Sequence, residues 1–327
     1  MKRIAINGMG RIGRATFKIL ADREDAEIVA VNDLISGENL LYLLKFDSVY
    51  GRYEKNIELK DNQLVLGNKH IRILNEKDPG RLPWKELNID TVFECTGIFT
   101  KQGDLEKHIY AGAKRVVLSA PSKSSETVTR VFGVSDDKPV PQIISCASCT
   151  TNCITPVAEI MNRRVGVKKA IMTTIHAYTA TQALIDGPSK SFRRGRAAAV
   201  NLVPASTGAA LATTKVLPEL QHKFDGVAIR IPVPAGSIAD INFVTSRNVT
   251  VEEINNIFRE EAESERYRGI LGITEEEIVS SDILEDTRAS IVDLTMTQVV
   301  DGDLVKIMSW YDNEWGYANQ MVREGMR

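Results

Sequence analysis

The sequence has almost no excess charge of either sign and no long hydrophobic run. Its 41 basic and 43 acidic residues leave a formal net charge of −2, so no basic surface is predicted for nucleic acid or for an anionic membrane. No stretch reaches the roughly 20 apolar residues of a transmembrane helix, and the apolar run in the N-terminal MKRIAINGMG is too short for a signal peptide. The expected partners are therefore small molecules rather than nucleic acids or membranes.

Cysteine and histidine are also scarce, with four of each. Cys146, Cys149 and Cys153 lie close together in IISCASCTTNCITPV, and one such cluster does not resemble the disulfide framework of a secreted protein. The predicted location is therefore a reducing one, the cytoplasm. A structural zinc site needs four ligands, usually in two paired spacings. The spacing C-x2-C-x3-C has no second pair, so no metal site is predicted.

The chain is long and apolar enough for a large core. Its 327 residues, 43% of them hydrophobic, predict two domains. In the first half, strand patterns (TVFECTG, RVVLSAP, IISC) alternate with a helical pattern over 102–112, which is typical of an open parallel sheet. The stretch NIELKDNQLVLGNKHIRIL instead alternates polar and apolar residues, with turn signals at Asp61-Asn62 and Gly67-Asn68, which predicts an antiparallel insertion over about 53–75. The order of elements places the domain boundary near residue 148.

A dinucleotide-binding fingerprint opens the chain. In RIAINGMGRIGRATFKIL an apolar strand leads through Gly8, Gly10 and Gly13 into a helix, which is G-x-G-x-x-G in the context that the motif requires. These glycines allow a tight turn, approach to a pyrophosphate and close helix packing, and the helix N-terminus presents N–H groups to phosphates. The strand EIVAVND ends at Asp33, which can accept from a ribose 2′-OH and repel a 2′-phosphate. The prediction is NAD in preference to NADP; the alternative is a glycine-rich turn without a ligand.

Cys149 is the candidate nucleophile. The stretch SCTTNCITPVAEI has the pattern of a helix start with Ser148 or Thr150 as its cap, and a thiol at the positive end of a helix has a lowered pKa. Cys153 falls one turn later, where a buried unreactive thiol is expected. Cys95, in TVFECTG, is expected to pack in the core.

His176 is the candidate base, because a thiolate nucleophile usually needs a base held in the fold. It ends the apolar strand KKAIMTTIHAYT. By contrast, His70 lies in the polar insertion, His108 is predicted on a polar helix face, and His222 lies in LQHKFDG. A histidine at a strand end is often only structural, so the functional interpretation depends on its pairing with Cys149.

Five motifs together resemble the glyceraldehyde-3-phosphate dehydrogenase family. INGMGRIGR, SCASCTTNC, TTIHAYTATQ, PASTGAA and SWYDNEWGYANQM occur in the family's order and span essentially the whole chain. The resemblance implies an α/β fold: a Rossmann-type NAD-binding domain over 1–148, an α+β catalytic domain with a mostly antiparallel sheet over 149–312, and a C-terminal helix over 313–327 that returns to the first domain. It also implies a homotetramer.

The resemblance also assigns site residues by motif, with Cys149 as nucleophile and His176 as base. The cofactor residues that it implies are Gly8, Gly10, Arg11, Ile12, Gly13, Asp33, Lys77, Thr96, Ser119 and Asn313. The residues that it implies for the substrate and for inorganic phosphate are Ser148, Thr150, Thr179, Arg194, Thr207, Gly208 and Arg230. In FRRGR, Arg193 and Arg196 are alternatives to Arg194. Cys146 stands where the family commonly has asparagine.

Two of these positions also suit an anion by their local structure. STGAALATTKVL predicts a helix that begins at Thr207 and Gly208, and a helix N-terminus suits a phosphate. Arg230 follows the strand GVAIR and can donate two bonds to phosphate oxygens. For Arg230 taken alone, a surface ion pair is the ordinary alternative.

The activity that the resemblance implies is the phosphorylating oxidation of D-glyceraldehyde 3-phosphate to 1,3-bisphosphoglycerate by NAD, through a thioester on Cys149. The nearest alternative is erythrose-4-phosphate dehydrogenase, with water as the final acceptor, although HAYTATQ and DGPSK look like the glycolytic enzyme. A non-catalytic protein that binds a nucleotide or RNA in the cofactor groove is an alternative of another class. The pair of Cys149 and His176 and the near-neutral charge argue against it.

Overall fold

The computed structural model describes residues 1–135 and 139–327 and divides into two compact units. The first unit contains 1–130, 139–147 and 321–327, and the second contains 131–135 and 148–320. Across the described residues, the strands form a nine-stranded sheet, a seven-stranded sheet and a two-stranded ribbon. The nine-stranded sheet belongs to the first unit and the seven-stranded sheet to the second.

In the first unit, helices alternate with buried strands. The described strands are β1 (Lys2–Asn7), β2 (Ala26–Asn32), β3 (Phe46–Asp47), β4 (Gly51–Arg52), β5 (Ile57–Lys60), β6 (Gln63–Leu66), β7 (Lys69–Leu74), β8 (Thr91–Glu94), β9 (Arg115–Leu118), β10 (Val128–Thr129) and β11 (Ile143–Ser145). The helices are α1 (Arg11–Ala21), α2 (Gly37–Lys45) and α3 (Gln102–Tyr110). Ile4, Ala5 and Ile6 of β1 are all fully buried, as expected for a parallel strand covered on both faces.

The larger sheet has the order β10-β11-β9-β8-β1-β2-β7-β6-β5. Neighbours are parallel from β10 to β7, whereas β7, β6 and β5 run antiparallel. The predicted antiparallel insertion is thus a three-stranded meander that extends the main sheet, because β7 pairs with β2. Its turns fall at Asp61 and Asn62 and at Gly67, all with positive φ, where the sequence predicted them.

Three neighbouring parallel strands end in polar residues. Asn7, Asn32 and Glu94 are the last residues of β1, β2 and β8, and Asn7 is the register partner of both others. All three residues are buried. The carboxyl ends of the strands are the usual ligand-binding edge of an open α/β sheet, so this polar row lies where a dinucleotide is expected.

The second unit contains the remaining elements. Its strands are β12 (Val167–Ala177), β13 (Val203–Ser206), β14 (Phe224–Ile231), β15 (Ser237–Thr245), β16 (Leu271–Thr274), β17 (Ser290–Val300) and β18 (Leu304–Tyr311). Its helices are α4 (Cys149–Arg164), α5 (Ala209–Val216) and α6 (Val251–Glu263), followed by α7 (Trp315–Gly325). The residues of α7 up to 320 belong to the second unit, and those from 321 belong to the first.

The smaller sheet has the order β13-β14-β12-β15-β18-β17-β16. Its neighbours are antiparallel except for β12 with β14 and β16 with β17. Buried and partly exposed side chains alternate along β15, and Ile241 of this strand shares one hydrophobic core with Ile154 of α4 and Phe258 of α6. This core fixes α4 and β12, the two elements that carry the candidate nucleophile and base.

Candidate active site and cofactor site

The first turn of α4 places the candidate nucleophile. Ala147 has a φ of 53°, and Ser148 then caps the helix, because its Oγ accepts from the N–H of Thr151 at 3.1 Å. Cys149 is therefore the first residue of α4, as the sequence predicted, and the residue as a whole is half-buried. Cys153 is fully buried one turn later, where an unreactive thiol was expected.

The candidate base lies directly beside this thiol. His176 is buried near the end of β12, and its Nε2 is 3.3 Å from Sγ of Cys149. Its Nδ1 lies 2.7 Å from the carbonyl oxygen of Ala177. In the tautomer in which Nδ1 donates to this carbonyl, the Nε2 lone pair faces the thiol. The pair therefore has the geometry of a nucleophile with its general base.

Burial controls the ionisation of both groups. Burial raises the pKa of the Cys149 thiol, and the charge of Arg230 and the N–H of Thr150 oppose it. The helix start alone had predicted a lowered pKa, so that prediction was wrong for the thiol by itself. Burial, and after it the charge of Arg230, lower the pKa of His176 to about 3. Proton transfer from Sγ to Nε2 would create opposite charges in contact, and each would stabilise the other.

Arg230 supplies a cation next to this pair. Its Nη1 lies 2.7 Å from Nδ1 of His176 and donates to the carbonyl oxygen of Ala177 at 3.1 Å. Its Nε is buried and has no hydrogen-bond partner among the described residues. A buried donor without an acceptor is costly, and a guanidinium can bind two phosphate oxygens at once. The orphaned Nε therefore indicates an anion site.

A second arginine lies near the same imidazole. The charge of Arg194 is among the causes that lower the pKa of His176. Its Nη1 donates to Thr181 at 3.0 Å, and the hydroxyl of Thr181 is 2.9 Å from that of Thr179. By contrast, Arg196 is exposed and donates to an exposed aspartate at 2.8 Å. Of the arginines in FRRGR, Arg194 is therefore the better candidate for an anion ligand.

The other phosphate candidates lie at helix starts. Gly208 caps α5, and the space where a Cβ would stand is open. The hydroxyl of Thr207 accepts from the N–H two residues ahead of it at 3.2 Å. Thr150, in contrast, is buried, and its hydroxyl bonds to that of Tyr311 at 2.9 Å. The start of α5 thus has room for an anion, whereas the Thr150 side chain supports the packing beneath Cys149.

The amide of Asn313 is held in one orientation. Its Oδ1 accepts from the N–H of Gly236 at 3.1 Å and from Oγ of Ser237 at 3.0 Å. These two donors fix the carbonyl side of the amide and direct the Nδ2 group away from them. An amide held in this way suits the recognition of a carboxamide.

In the first unit, a cavity of about 280 Å³ lies over the polar row at the strand ends. Gly8, Gly10, Asp33, Lys77 and Thr96 are among the residues that line it. A larger open depression of about 510 Å³ lies elsewhere, on residues of the meander. The smaller cavity is the candidate dinucleotide site, because Gly8 and Gly10 of the fingerprint line it.

The glycines of the fingerprint fit a dinucleotide. At Gly8, which has a φ of +93°, a Cβ would lie 2.6 Å from the backbone nitrogen of Thr96. At Gly13 a Cβ would lie 1.9 Å from the carbonyl oxygen of Gly8. At Gly10 the same position is open, and this is the glycine over which a pyrophosphate passes. The packing therefore excludes side chains at two positions and leaves space at the third.

Polar groups around the cavity complete the site. Asp33 accepts from the N–H of Met9 at 2.6 Å and from that of Ile35 at 3.2 Å, which orients its carboxylate on the rim. Arg11 and Ile12 form the first turn of α1, where N–H groups have no intrahelical acceptor. The Arg11 guanidinium pairs with Asp47, so its backbone is the better candidate for a pyrophosphate. Lys77 is exposed on the cavity wall. Ser119 follows β9 and donates its backbone N–H to the carbonyl oxygen of Glu94 at 3.0 Å.

A buried network below the cavity was missed by the sequence analysis. His108 is fully buried, not on a polar face; the prediction was wrong because α3 turns this residue towards Trp84 and Glu94. Nε1 of Trp84 donates to Nδ1 of His108 at 3.0 Å, and Nε2 of His108 lies 3.0 Å from Oε2 of Glu94. The sequence signal was Glu94 itself, an acid at the end of an apolar strand.

In the described ranges, no group of three or more histidine, cysteine, aspartate or glutamate side chains is arranged to hold a metal ion. In the same parts of the chain, no helix is long and apolar enough to cross a membrane.

Comparison with known proteins identifies the family. Residues 2–102 match the family model for the glyceraldehyde 3-phosphate dehydrogenase NAD binding domain, and residues 148–313 match that for the C-terminal domain. The chain is 48% identical to glyceraldehyde-3-phosphate dehydrogenase 2 of Streptomyces avermitilis over 98% of this chain and 96% of the relative. It is 47% identical to glyceraldehyde-3-phosphate dehydrogenase of Clostridium pasteurianum over 99% of this chain and 97% of the relative.

These matches and the fold together define the class of enzyme. An NAD-binding α/β unit and a unit with a thiol–imidazole pair are the parts of an NAD-dependent aldehyde dehydrogenase that works through a cysteine. The chain belongs to the glyceraldehyde-3-phosphate dehydrogenase family. The family, the fold class and the cofactor NAD that the motifs predicted are thereby confirmed.

Proposed function

We propose that this chain oxidises D-glyceraldehyde 3-phosphate with NAD and phosphate to 1,3-bisphosphoglycerate, and that Cys149 carries the acyl group. The observation that carries the assignment of residues is the contact of 3.3 Å between Sγ of Cys149 and Nε2 of His176. Because the lone pair of Nε2 faces the thiol when Nδ1 donates to Ala177, His176 can take the thiol proton directly. The proposal gives the first unit the role of NAD binding and the second that of catalysis.

The thiolate attacks the aldehyde carbon and forms a hemithioacetal on Cys149. The protonated Nε2 of His176 then gives its proton to the oxygen that gains charge, which forms the hydroxyl of the hemithioacetal and restores the neutral imidazole. When this oxygen loses its proton to His176, the carbon releases a hydride and becomes a thioester. NAD, when bound, supplies the hydride acceptor. Attack of inorganic phosphate on the thioester releases the acyl phosphate and regenerates the Cys149 thiolate.

Two sets of groups in the second unit are candidates for the two phosphates. Arg230, with its unpartnered Nε, and Thr179 near Arg194 suit the phosphate of the substrate. Ser148, Thr207 and Gly208 lie at helix starts, where backbone N–H groups can bind a free phosphate. A site for a second anion distinguishes a phosphorylating enzyme from one that uses water.

A panel of substrates and acceptors tests this function. NADH formation is followed with D-glyceraldehyde 3-phosphate and with erythrose 4-phosphate, each with phosphate, with arsenate or with neither. We expect the fastest rate with D-glyceraldehyde 3-phosphate and a steady-state rate that depends on phosphate or arsenate. Preference for erythrose 4-phosphate without an added acceptor would identify the other dehydrogenase. No turnover at all, with retained binding of nucleotide, would favour the non-catalytic alternative.

Asp33 is expected to select NAD over NADP. Its carboxylate is held on the cavity rim, and a partly buried like-charge contact with a 2′-phosphate costs a few kcal/mol, so kcat/KM should favour NAD by roughly ten- to a thousandfold. Asp33→Gly should reduce this ratio. The measurement is steady-state kinetics with both cofactors at fixed substrate. Equal kcat/KM values for the two cofactors in the unmutated protein would contradict the assignment.

A cation that reaches the 2′-phosphate of NADP would offset the charge of Asp33, and the candidates are Lys2, Arg3 and Lys77. Lys2 and Arg3 start β1, whose other end meets the cavity, and roughly 3.3 Å per residue separates them from it. Arg3 is also paired with Glu27 at 2.8 Å. Lys77 lines the cavity and is exposed, so Lys77→Gln in the Asp33→Gly background should lower the rate with NADP more than the rate with NAD.

We expect a homotetramer in the cytoplasm, and exposed apolar side chains support self-association. Leu184, Ile185, Phe192, Val200 and Leu202 are all exposed in one segment of the second unit, Phe192 by 90%. Apolar surface of this kind often marks an interface between proteins. For the homotetramer that the family resemblance implies, sedimentation should give about four times the chain mass of 36.2 kDa.

A pair of variants tests which surface is used. Phe192→Asp should shift sedimentation to smaller species. Tyr110→Asp, which changes an exposed aromatic of the first unit, should leave it unchanged. A monomeric wild-type protein, or identical sedimentation of the wild type and both variants, would contradict the assignment of this segment to the interface.

A further inference from the structure

Glu94 is fully buried and collects hydrogen bonds from several directions. Its Oε2 receives the Nδ2 group of Asn7 at 2.5 Å and lies 3.0 Å from Nε2 of His108. Its Oε1 accepts from the N–H of Thr96 at 2.8 Å and also bonds to the Thr96 hydroxyl. The carboxylate thus joins the polar row at the strand ends to the turn that follows β8.

Trp84 determines which ring nitrogen of His108 carries the proton. The indole N–H can only donate, so Nδ1 of His108, 3.0 Å away, must accept. The proton of the neutral ring is then on Nε2, which donates to Glu94. A proton on Nδ1 would oppose the indole N–H, so the ring bonds to Glu94 as a donor through Nε2.

A second chain of donors reaches the same carboxylate. The N–H of Glu76 donates to Oδ1 of Asn32 at 2.9 Å, and Nδ2 of Asn32 donates to Oδ1 of Asn7 at 2.7 Å. Asn7 then has its Nδ2 group directed at Glu94. The direction of each hydrogen bond in this series is fixed, because the first donor is a backbone N–H and the last acceptor is a carboxylate.

Glu94 connects these hydrogen bonds to the cofactor site through Thr96. The Thr96 hydroxyl donates to Glu94 and accepts from the N–H of Ile98 at 3.1 Å, so its bonds hold the turn. The backbone nitrogen of Thr96 lies 2.6 Å from where a Cβ of Gly8 would stand. The turn therefore packs directly on the first glycine of the fingerprint, and a displacement of Thr96 must move that glycine or open a gap.

We propose that Glu94 is a positioning residue of the dinucleotide site: held by His108 and Asn7, it seats the Thr96 turn against Gly8 and so sets the affinity for NAD. This inference rests on the proposed use of the cavity by NAD. Glu94 is covered by its donors and lies below the cavity, so it is not expected to touch the reacting atoms. Its loss should weaken the binding of NAD and leave the chemical step at saturating NAD largely unchanged.

The test measures NAD binding directly by isothermal titration calorimetry. Glu94→Gln puts an amide N–H₂ group among donors, and the dissociation constant for NAD should rise about tenfold or more, as expected when buried donors lose a charged acceptor. At saturating NAD, kcat should stay within about twofold. Glu86→Gln, which changes an exposed carboxylate in the same unit, is the control and should bind NAD like the wild type.

Thr96 variants test the same link from its other end. Thr96→Ser keeps the hydroxyl and should bind NAD nearly as the wild type does, whereas Thr96→Val should lose affinity as Glu94→Gln does. These variants decide the question if Glu94→Gln does not fold, as judged by its thermal transition without NAD. Unchanged affinity in a folded Glu94→Gln, or equal losses for the serine and valine variants, would overturn the positioning role. A wild-type protein that does not bind NAD would instead contradict the proposed function.

Discussion

Cys149→Ser is expected to abolish dehydrogenase activity, whereas Cys146→Ser and Cys153→Ser should retain most of it. Cys149 combines a helix start with a base at 3.3 Å, and a serine hydroxyl is too weak an acid to replace a thiolate nucleophile. Cys153 is fully buried, and burial raises its pKa to about 12, so it cannot take over. The measurement is NADH formation with D-glyceraldehyde 3-phosphate.

The control for this series is the number of reactive thiols. Brief treatment with iodoacetamide should label one cysteine in the wild type and in Cys153→Ser, and none in Cys149→Ser. Burial also raises the pKa of Cys146, so it should stay unlabelled. Equal loss of activity in all three serine variants, with zinc recovered from the wild type, would contradict the assignment of Cys149 as nucleophile and indicate a metal site instead.

His176→Asn should lower kcat roughly 10²–10⁴-fold, as expected when a general acid–base group is lost. The imidazole accepts the thiol proton and later donates to the developing oxyanion, and asparagine cannot exchange protons in this way. Asparagine can still donate a hydrogen bond, so substrate binding should change less than kcat. Steady-state kinetics that separate kcat from KM test this expectation, with His222→Asn, an exposed histidine, as the matched control.

The pH dependence of thiol alkylation gives an independent test of the pair. Burial raises the pKa of Cys149, and in the wild type the proton can move to Nε2 of His176 to give the reactive thiolate. Without the imidazole the thiolate must form against the cost of burial, so the alkylation profile of His176→Asn should shift to higher pH. Identical profiles for the wild type and the variant between pH 5 and 9 would show that His176 does not act on this thiol.

Cys146→Ser is expected to affect stability rather than activity. It lies just after β11, is buried, and is influenced by the ion pair of Arg130 and Glu324. These charged side chains are themselves buried, and breaking such a pair is strongly destabilising. Cys146→Ser leaves both partners in place, so a moderate loss of stability with intact activity per folded molecule is the expected result.

Local patterns were enough for much of the fold. The fingerprint glycines, the start of α4 at Cys149 and the turns of the meander each depend on a few consecutive residues, since positive φ, helix capping and alternating burial are short-range constraints. These features lie where the sequence predicted them. The same patterns led to the right family, because five such motifs occur in one order.

What the patterns could not give was the set of neighbours of each side chain. Cys149 and His176 are 27 residues apart, and only the packing of α4 against the sheet with β12 brings them into contact. The direction of the thiol pKa depended on burial, which outweighed the helix start. His108 was misplaced for a similar reason, since its face of α3 turns inward to Trp84 and Glu94. Burial and long-range contacts arise from the packed whole, and no window of consecutive residues contains them.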